Sequence, residues 1–195
     1  PETLPILPLR GTVVYPLTAV PLTVGQPRSI KLVDDASVGQ RMIGLVASRF
    51  PEKEEPAAED LYDVGTAAAV LRMFRAPDGT VRLLVQGVAR FKVLSYVDRE
   101  PYLRARVQQA PEQVDEGLEM EALVRSVRDQ FAAVADLVPA MPGELSQAVA
   151  NLEDPRQLIY TIATYQRMEL GEAQRLLELD SVADKLKRLM GLLNN

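Results

Sequence analysis

The feature that most constrains the fold is a change in hydrophobic pattern at Pro111. Before it, short runs rich in β-branched residues are broken by proline and glycine, which is typical of β-strands and turns. After it, apolar residues recur every three or four positions, as they do along one face of an α-helix. The sequence therefore predicts an α+β protein with a β-rich domain over 1–110 and a helical domain over 111–195.

The first domain is predicted to contain six or seven short strands and one helix. Leu4–Leu9 and Ala19–Val24 are expected as edge strands, because proline cannot donate a hydrogen bond to a β-ladder. The turn Ala76–Gly79, with its Pro-Asp-Gly sequence, predicts a hairpin between residues 64–75 and 80–86. Gly87 indicates a bulge or bend before a further strand. These features predict a small, partly closed β-barrel.

The remaining elements of the first domain are a helix and a loop. A helix is expected to begin at Pro27 and end near Gly39, with Ile30, Val33 and Val38 on its apolar face. Residues 51–60 are charged and contain two prolines, which predicts a solvated loop.

The second domain is predicted to be a bundle of helices. They are expected near residues 115–138, 143–152, 154–165 and 172–179, and from 181 onwards. In the last one, apolar residues spaced four, three and four form a heptad seam of Val182, Leu186, Leu189 and Leu193. This candidate assembly helix either packs on the preceding helices or forms the root of a longer coiled coil, and the two interpretations are compatible.

The residue types argue against catalysis. The chain has no histidine and no cysteine, which removes the commonest general base, the commonest metal ligand and the cysteine nucleophile. It has no phosphate-binding loop, dinucleotide-binding turn or nucleophile elbow. No catalytic, cofactor-binding or metal-binding residue is predicted. An enzyme would need a carboxylate pair such as Asp34 with Asp35, or Asp98 with Glu100, to converge on a pocket.

Charge and hydropathy limit the partners. The net charge is −5, with 14 Lys and Arg against 12 Asp and Glu over 1–110, and 8 against 15 over 111–195. An acidic chain without a dense basic run is a poor ligand for nucleic acid. Neither a signal peptide nor a membrane-spanning run is visible, so a cytoplasmic protein with no membrane partner is expected.

Four segments, taken in order, carry a family resemblance. The first two are LPILPLRGTVVYPLTAVPLTVGQPRSI from residue 4 and DLYDVGTAAAVLRMFRAPDGTVRLLVQGVARFKV from residue 60. The third is Asp154-Pro155 followed by Leu158 and by Ile162-Ala163, and the fourth is QRLLELDSV over 174–182. Together they resemble the amino-terminal substrate-recognition region of bacterial ATP-dependent Lon proteases. The resemblance implies a PUA-like barrel of the Lon N-domain type followed by a helical bundle.

The resemblance also implies a function without catalysis in this chain. Unfolded, misfolded or degron-bearing proteins would be captured here for a hexameric AAA+ serine protease, whose remaining domains and neighbouring subunits are further partners. ATP and Mg²⁺ are expected only in the rest of such a protease, because this chain has neither the ATPase phosphate loop nor the Ser-Lys dyad.

A module that selects unfolded proteins needs exposed apolar groups. Leu71, Met73 and Phe74, near the predicted hairpin turn, are the first candidates; alternatively, Met73 and Phe74 pack under the charged loop 51–60. Tyr15, Leu17 and Leu22, in a proline-rich loop, are the second candidates; alternatively, this loop is a structural corner. Phe50 is a third candidate.

Two other functions are compatible with the sequence. A stand-alone adaptor or ligand-binding domain of the same fold would differ in lacking an ATPase beyond the last residue. RNA binding is suggested only by analogy with other small barrels, and the acidic charge argues against it.

Overall fold

A computed structural model describes residues 2–39, 41–114, 117–137, 149, 151–165 and 168–193. The chain divides into two compact units, Pro1–Pro111 and Glu112–Asn195, called here the β unit and the helical unit. The division lies one residue from the predicted boundary.

The β unit is a six-stranded mixed sheet with one α-helix among its described residues. Its elements are β1 (Glu2–Leu9), β2 (Ala19–Val24), α1 (Pro27–Val38), β3 (Met42–Ala47), β4 (Val64–Arg75), β5 (Val81–Asp98) and β6 (Arg104–Gln109). The strand order is β2-β5-β4-β3-β1-β6, and a further pairing of β5 with β6 joins the sheet to itself. The sheet is thus a partly closed, irregular barrel, and the predicted fold class is confirmed.

Strand β1 is not the edge strand that its prolines predict. Its first half pairs antiparallel with β6, and its second half pairs parallel with β3. Each half therefore has one open side, so Pro5 and Pro8 are accommodated in a strand that lies inside the sheet order. By contrast, β2 pairs with β5 alone among the described strands, so the prediction of an edge strand is correct for Pro21.

Both faces of the sheet carry buried apolar residues. One cluster includes Leu7, Leu45 and Val85 with α1 packed against it, and the other is built around Ile6, Val46 and Phe91. Alternate residues of β1 and β3 thus enter different clusters, as the two-residue period of a strand requires. In α1 the buried residues are Leu32, Val33 and Ala36, whereas Val38 is 86% exposed, so its assignment to the apolar face is wrong.

Strand β5 runs through Gly87, and the bulge that the sequence predicts there is observed at the next residue, Val88. The register shifts between paired strands leave one residue unpaired at four places, which marks β-bulges. The bulged residues are Leu71, Val88, Leu94 and Val97, and all four are exposed. A Cβ at Gly87 would lie 2.2 Å from the backbone oxygen of Tyr15, so only glycine fits where this loop crosses β5.

The loop over 51–60 is better structured than its composition predicts. Residues 51–55 are exposed, but Pro56 and Ala58 are buried, and a 3-10 turn spans Ala58–Asp60. The carboxylate of Asp60 accepts the Ala57 backbone N–H (2.9 Å) and lies 3.1 Å from the Lys53 ammonium group. These bonds explain why charged residues form a turn here.

The helical unit contains four helices among its described residues. They are α2 (Leu118–Leu137), α3 (Pro155–Tyr165), α4 (Leu170–Glu178) and α5 (Val182–Leu193). The predicted helix near 143–152 lies almost wholly outside the described residues. None of the described helices is both long and apolar enough to cross a lipid bilayer. The predicted face of α2 is correct for Met120, Val124, Val127 and Phe131, which are all buried.

Candidate functional site

The turn of the β4–β5 hairpin is held by its own polar groups. Ala76 donates its N–H to the Thr80 carbonyl (2.8 Å), and Gly79 has a φ of +91°, which favours glycine. One carboxylate oxygen of Asp78 accepts both the Thr80 N–H (3.0 Å) and the Thr80 hydroxyl (2.6 Å). The bond from the Thr80 hydroxyl is the main reason that the pKa of Asp78 lies below its usual value. The internal hydrogen bonds of the turn therefore hold its conformation before any partner binds.

The hairpin end presents two exposed apolar side chains, Phe74 and Leu71. Phe74 is 58% exposed and Leu71, the bulged residue of β4, is 47% exposed. Met73 is half-buried because it faces inward, opposite Leu83, and packs against the core. The interpretation that Phe74 packs under loop 51–60 is therefore wrong, and Met73 contributes less surface than the sequence predicts.

Strand register places Phe74 between arginines on the outer face of the hairpin, which is the face turned away from the apolar cluster that includes α1. Phe74 lies opposite Arg82 in β5, and Arg72 lies opposite Leu84. Both arginines are exposed. We call Arg72, Phe74, Arg82, Leu84 and Pro21, which pairs with Leu84, the arginine–phenylalanine patch.

The proline-rich loop is mostly a structural corner. Tyr15 is only 2% exposed, and burial raises its pKa, so its prediction as a surface binding residue is corrected. The tyrosine is covered because the loop is bonded to β5 at Gly87, which accepts the Leu17 N–H (3.0 Å) and donates to the Thr18 carbonyl (2.8 Å). Leu17 has a positive φ of 64° and is partly exposed.

Leu22 and Phe50 remain partly accessible. Leu22 packs against the core and also lines a cavity of about 390 Å³. Phe50 is 41% exposed, and the Lys53 ammonium group lies 5.1 Å from the centre of its ring. A cation over an aromatic face at this distance is attractive and partly covers the ring.

The cavity in the β unit is absent from the sequence prediction. It is lined by the second half of β1, β2, the beginning of α1, and residues 54–56 and 102–103. Its two cationic side chains are engaged with the backbone, because Arg10 donates to the Pro51 carbonyl (3.0 Å) and Arg28 to the Arg99 carbonyl (2.6 Å). Its walls come from segments far apart in sequence, so no local motif indicates it.

The predicted assembly seam lies inside the helical unit. Val182, Leu186 and Leu189 are fully buried and Leu193 is 7% exposed, because α5 packs against α2, α3 and α4. Of the two interpretations of the seam, packing on the other helices is therefore the one observed. The seam itself therefore offers no surface to a neighbouring subunit, and the continuation of α5 into a longer coiled coil stays a prediction.

A buried polar cluster in the helical unit is also absent from the sequence prediction. The Lys185 ammonium group lies 3.1 Å from the Glu112 carboxylate, and both side chains are nearly inaccessible. Lys185 also donates to the Tyr160 hydroxyl (2.5 Å) and to the Leu177 carbonyl (3.1 Å), while Tyr160 donates to Glu112. The described residues include no group of three or more acidic, His or Cys side chains placed to hold a metal ion.

The chain has the fold of solved amino-terminal domains of Lon proteases. The N-terminal domain of Mycobacterium avium complex Lon protease superimposes with a TM-score of 0.81 at 21% identity, covering 100% of this chain and 99% of that one. A Lon N-terminal domain protein from Xanthomonas campestris superimposes with a TM-score of 0.69 at 20% identity, covering 97% and 98%.

Sequence comparison then gives the family. The family profile described as ATP-dependent protease La (LON) substrate-binding domain matches residues 3–195. Lon protease 1 of Herpetosiphon aurantiacus is 41% identical over 194 residues, and Lon protease of Dictyoglomus thermophilum is 39% identical over 189 residues. Each alignment covers 97% of this chain and 24% of the relative. The chain belongs to the Lon substrate-binding domain family and spans about a quarter of the length of these relatives.

Proposed function

We propose that this chain is the substrate-engaging module of a cytoplasmic ATP-dependent Lon protease. In this role it binds exposed apolar segments of unfolded, misfolded or degron-bearing proteins and contributes to a hexamer. ATP, Mg²⁺ and the peptidase residues belong to the part of such a protease outside this chain. The observation that carries the proposal is the exposure of Phe74 and Leu71 at a preformed hairpin end, in a chain of a substrate-binding family.

Physical reasons favour this hairpin end as the contact. An apolar side chain left in water gains free energy when a partner covers it, and unfolded chains present apolar groups that folded proteins bury. The turn is held by its own hydrogen bonds, so little order is lost on binding. Leu22, at the wall of the cavity, is a second contact. Any contribution to the hexamer must use surfaces other than the buried seam of α5.

The test is an NMR titration of this chain with one protein in its native form and in a permanently unfolded form. Shifts at Phe74, Leu71 and Leu22 with the unfolded form alone are expected. Leu71→Ser with Phe74→Ser should weaken binding about tenfold, since each side chain loses part of its burial energy.

The matched control is Leu94→Ser with Val97→Ser, which changes two similarly exposed bulge residues at the other end of β5. It should bind like the parent chain. Equal loss in both double variants, or equal shifts with native and unfolded protein, would contradict the proposal.

A further inference from the structure

We infer that Arg72 and Arg82 make the arginine–phenylalanine patch selective for unfolded segments whose apolar residue is flanked by Asp or Glu. The inference rests on the proposed function, because it names the substrate class that the hairpin end prefers. It adds a specificity determinant to an apolar contact.

Strand register places Arg72 and Arg82 next to the exposed Phe74. Arg82 lies directly across from Phe74, and Arg72 is two residues before Phe74 on the same face of β4. Opposite Cβ atoms in an antiparallel pair are about 5 Å apart, and residues two apart along a strand are about 7 Å apart. The inward-facing neighbours confirm the alternation, because Leu83 and Val81 are buried opposite Met73 and Arg75. A bound side chain covering Phe74 therefore has an arginine as neighbour on two sides.

The charge of the two arginines is available to a partner. Neither forms an ion pair with any described residue, whereas the neighbouring Arg75 lies 2.8 Å from the Asp34 carboxylate. The acid nearest along the hairpin is Asp78, whose carboxylate is engaged with Thr80 and feels Arg82 only as a minor influence. Thr23, which pairs with Arg82 in β2, is uncharged. The patch thus carries two positive charges offset by one nearby carboxylate.

Arginine is suited to this task. Its planar guanidinium group binds a carboxylate through two parallel hydrogen bonds, and its stem can pack against an apolar neighbour. Charges at the rim of an apolar contact mainly determine which partners are accepted, because like charges repel and opposite charges attract. Segments rich in Lys or Arg should therefore be disfavoured even when their apolar residue fits.

Single-stranded nucleic acid is the competing ligand for an aromatic ring between two arginines. We favour the acidic peptide because the patch has only two arginines and the Lys and Arg residues of 1–110 form no dense run, whereas affinity for a polyphosphate grows with the number of phosphates neutralised. The experiment includes an oligonucleotide for this reason.

The test uses fluorescence anisotropy with three peptides that share one apolar centre and carry Asp, Asn or Lys at the flanking positions. The parent chain should bind the Asp peptide about threefold to tenfold more tightly than the Asn peptide, and the Lys peptide most weakly. Arg72→Glu with Arg82→Glu should reverse this order, and Arg72→Gln with Arg82→Gln should remove the difference. Raising the salt concentration should reduce the difference in affinity between the three peptides in the parent chain.

Lys92→Glu with Arg106→Glu is the matched control, because both residues are exposed and the net charge changes equally. It should keep the order of the parent chain. Equal binding of all three peptides by the parent chain would overturn the inference and leave the proposed function standing. Binding of none of them would overturn both. An oligonucleotide that binds more tightly than the Asp peptide, and loses affinity in the Glu variant, would overturn the inference in favour of nucleic acid.

Discussion

Lys185 and Glu112 form an ion pair inside the helical unit, with 3.1 Å between the ammonium nitrogen and a carboxylate oxygen. Their side chains are 0% and 5% exposed. The Tyr160 hydroxyl completes the cluster by accepting a hydrogen bond from Lys185 and donating one to Glu112. Because Glu112 is the first residue of the helical unit, the cluster fastens the beginning of this unit to its last described helix.

Glu112→Ala should destabilise the chain by about 3–5 kcal/mol, because it leaves the Lys185 charge buried without its counter-ion. Replacing both partners, with Glu112→Leu and Lys185→Met, should recover much of the loss. Urea unfolding of each variant measures the change.

The control for this prediction is Arg188→Ala, which breaks the more exposed pair with Glu172 and should change stability by at most about 1 kcal/mol. A Glu112→Ala variant no less stable than Arg188→Ala would show that the buried pair has no special importance.

Gly87→Ala should destabilise the β unit by about 1–3 kcal/mol, because the added methyl group meets the Tyr15 backbone oxygen and one of the two segments must move. Thermal unfolding measures the loss. Gly171→Ala, where a Cβ meets nothing within 4 Å, should stay within about 1 kcal/mol of the parent chain. Equal effects at the two glycines would refute the close approach at Gly87.

Leu189→Ala should destabilise the helical unit by about 2–5 kcal/mol and leave the oligomeric state of the chain unchanged, because Leu189 is a core residue. Unfolding experiments and analytical ultracentrifugation test the two parts. Leu118→Ala, at a position that is 85% exposed, is the control and should have little effect on stability. A change of oligomeric state without a loss of stability would restore the interpretation of the seam as an assembly surface.

Tyr96→Phe should leave stability at neutral pH unchanged or raise it by up to about 1 kcal/mol. The reason is that the Tyr96 hydroxyl is buried and has no hydrogen-bond partner among the described residues. Urea unfolding at neutral pH measures the change, and a clear loss of stability would mean that the hydroxyl does have a partner.

The same tyrosine predicts a pH dependence. Burial raises the pKa of Tyr96 to about 12, above the ordinary value of about 10. A pKa raised by folding stabilises the protein below the unfolded pKa, and this stabilisation is lost as the pH rises from about 10 through about 12. Tyr96→Phe should reduce that alkaline loss. Ultraviolet absorbance measures the ionisation of tyrosine as the pH rises. Ionisation of Tyr96 near pH 10 in the folded chain would contradict the raised pKa.

Much of the fold follows from local patterns. The turn over 76–79 is determined by Pro77, Asp78 and Gly79, whose conformational preferences act within a few residues. The change from period two to period three or four at Pro111 likewise depends only on neighbouring side chains. The secondary structure of both units could be predicted for that reason.

The errors concern relations between distant segments. Pro5 and Pro8 indicate an edge, but β1 changes partner halfway along, which depends on where β3 and β6 lie. Tyr15 is buried because its loop crosses β5 at Gly87. The apolar seam of α5 does not itself indicate whether its partner is the same chain or another one.

The candidate site was predictable in part. Near a hairpin turn the two strands form a ribbon that cannot be covered on both faces. Some of the apolar residues close to the turn must therefore be exposed. Which of them are exposed depends on the bulge at Leu71 and on the strands that cover the inner face, so Phe74 is exposed and Met73 is half-buried.

The sequence by itself determined the two-part α+β organisation, the hairpin turn and the resemblance to Lon amino-terminal domains, because these depend on local pattern and residue order. The tertiary structure alone decided which apolar residues face solvent, which arginines flank Phe74, and that Lys185 is buried against Glu112. These depend on strand register and helix packing, which bring together residues that no short-range preference relates.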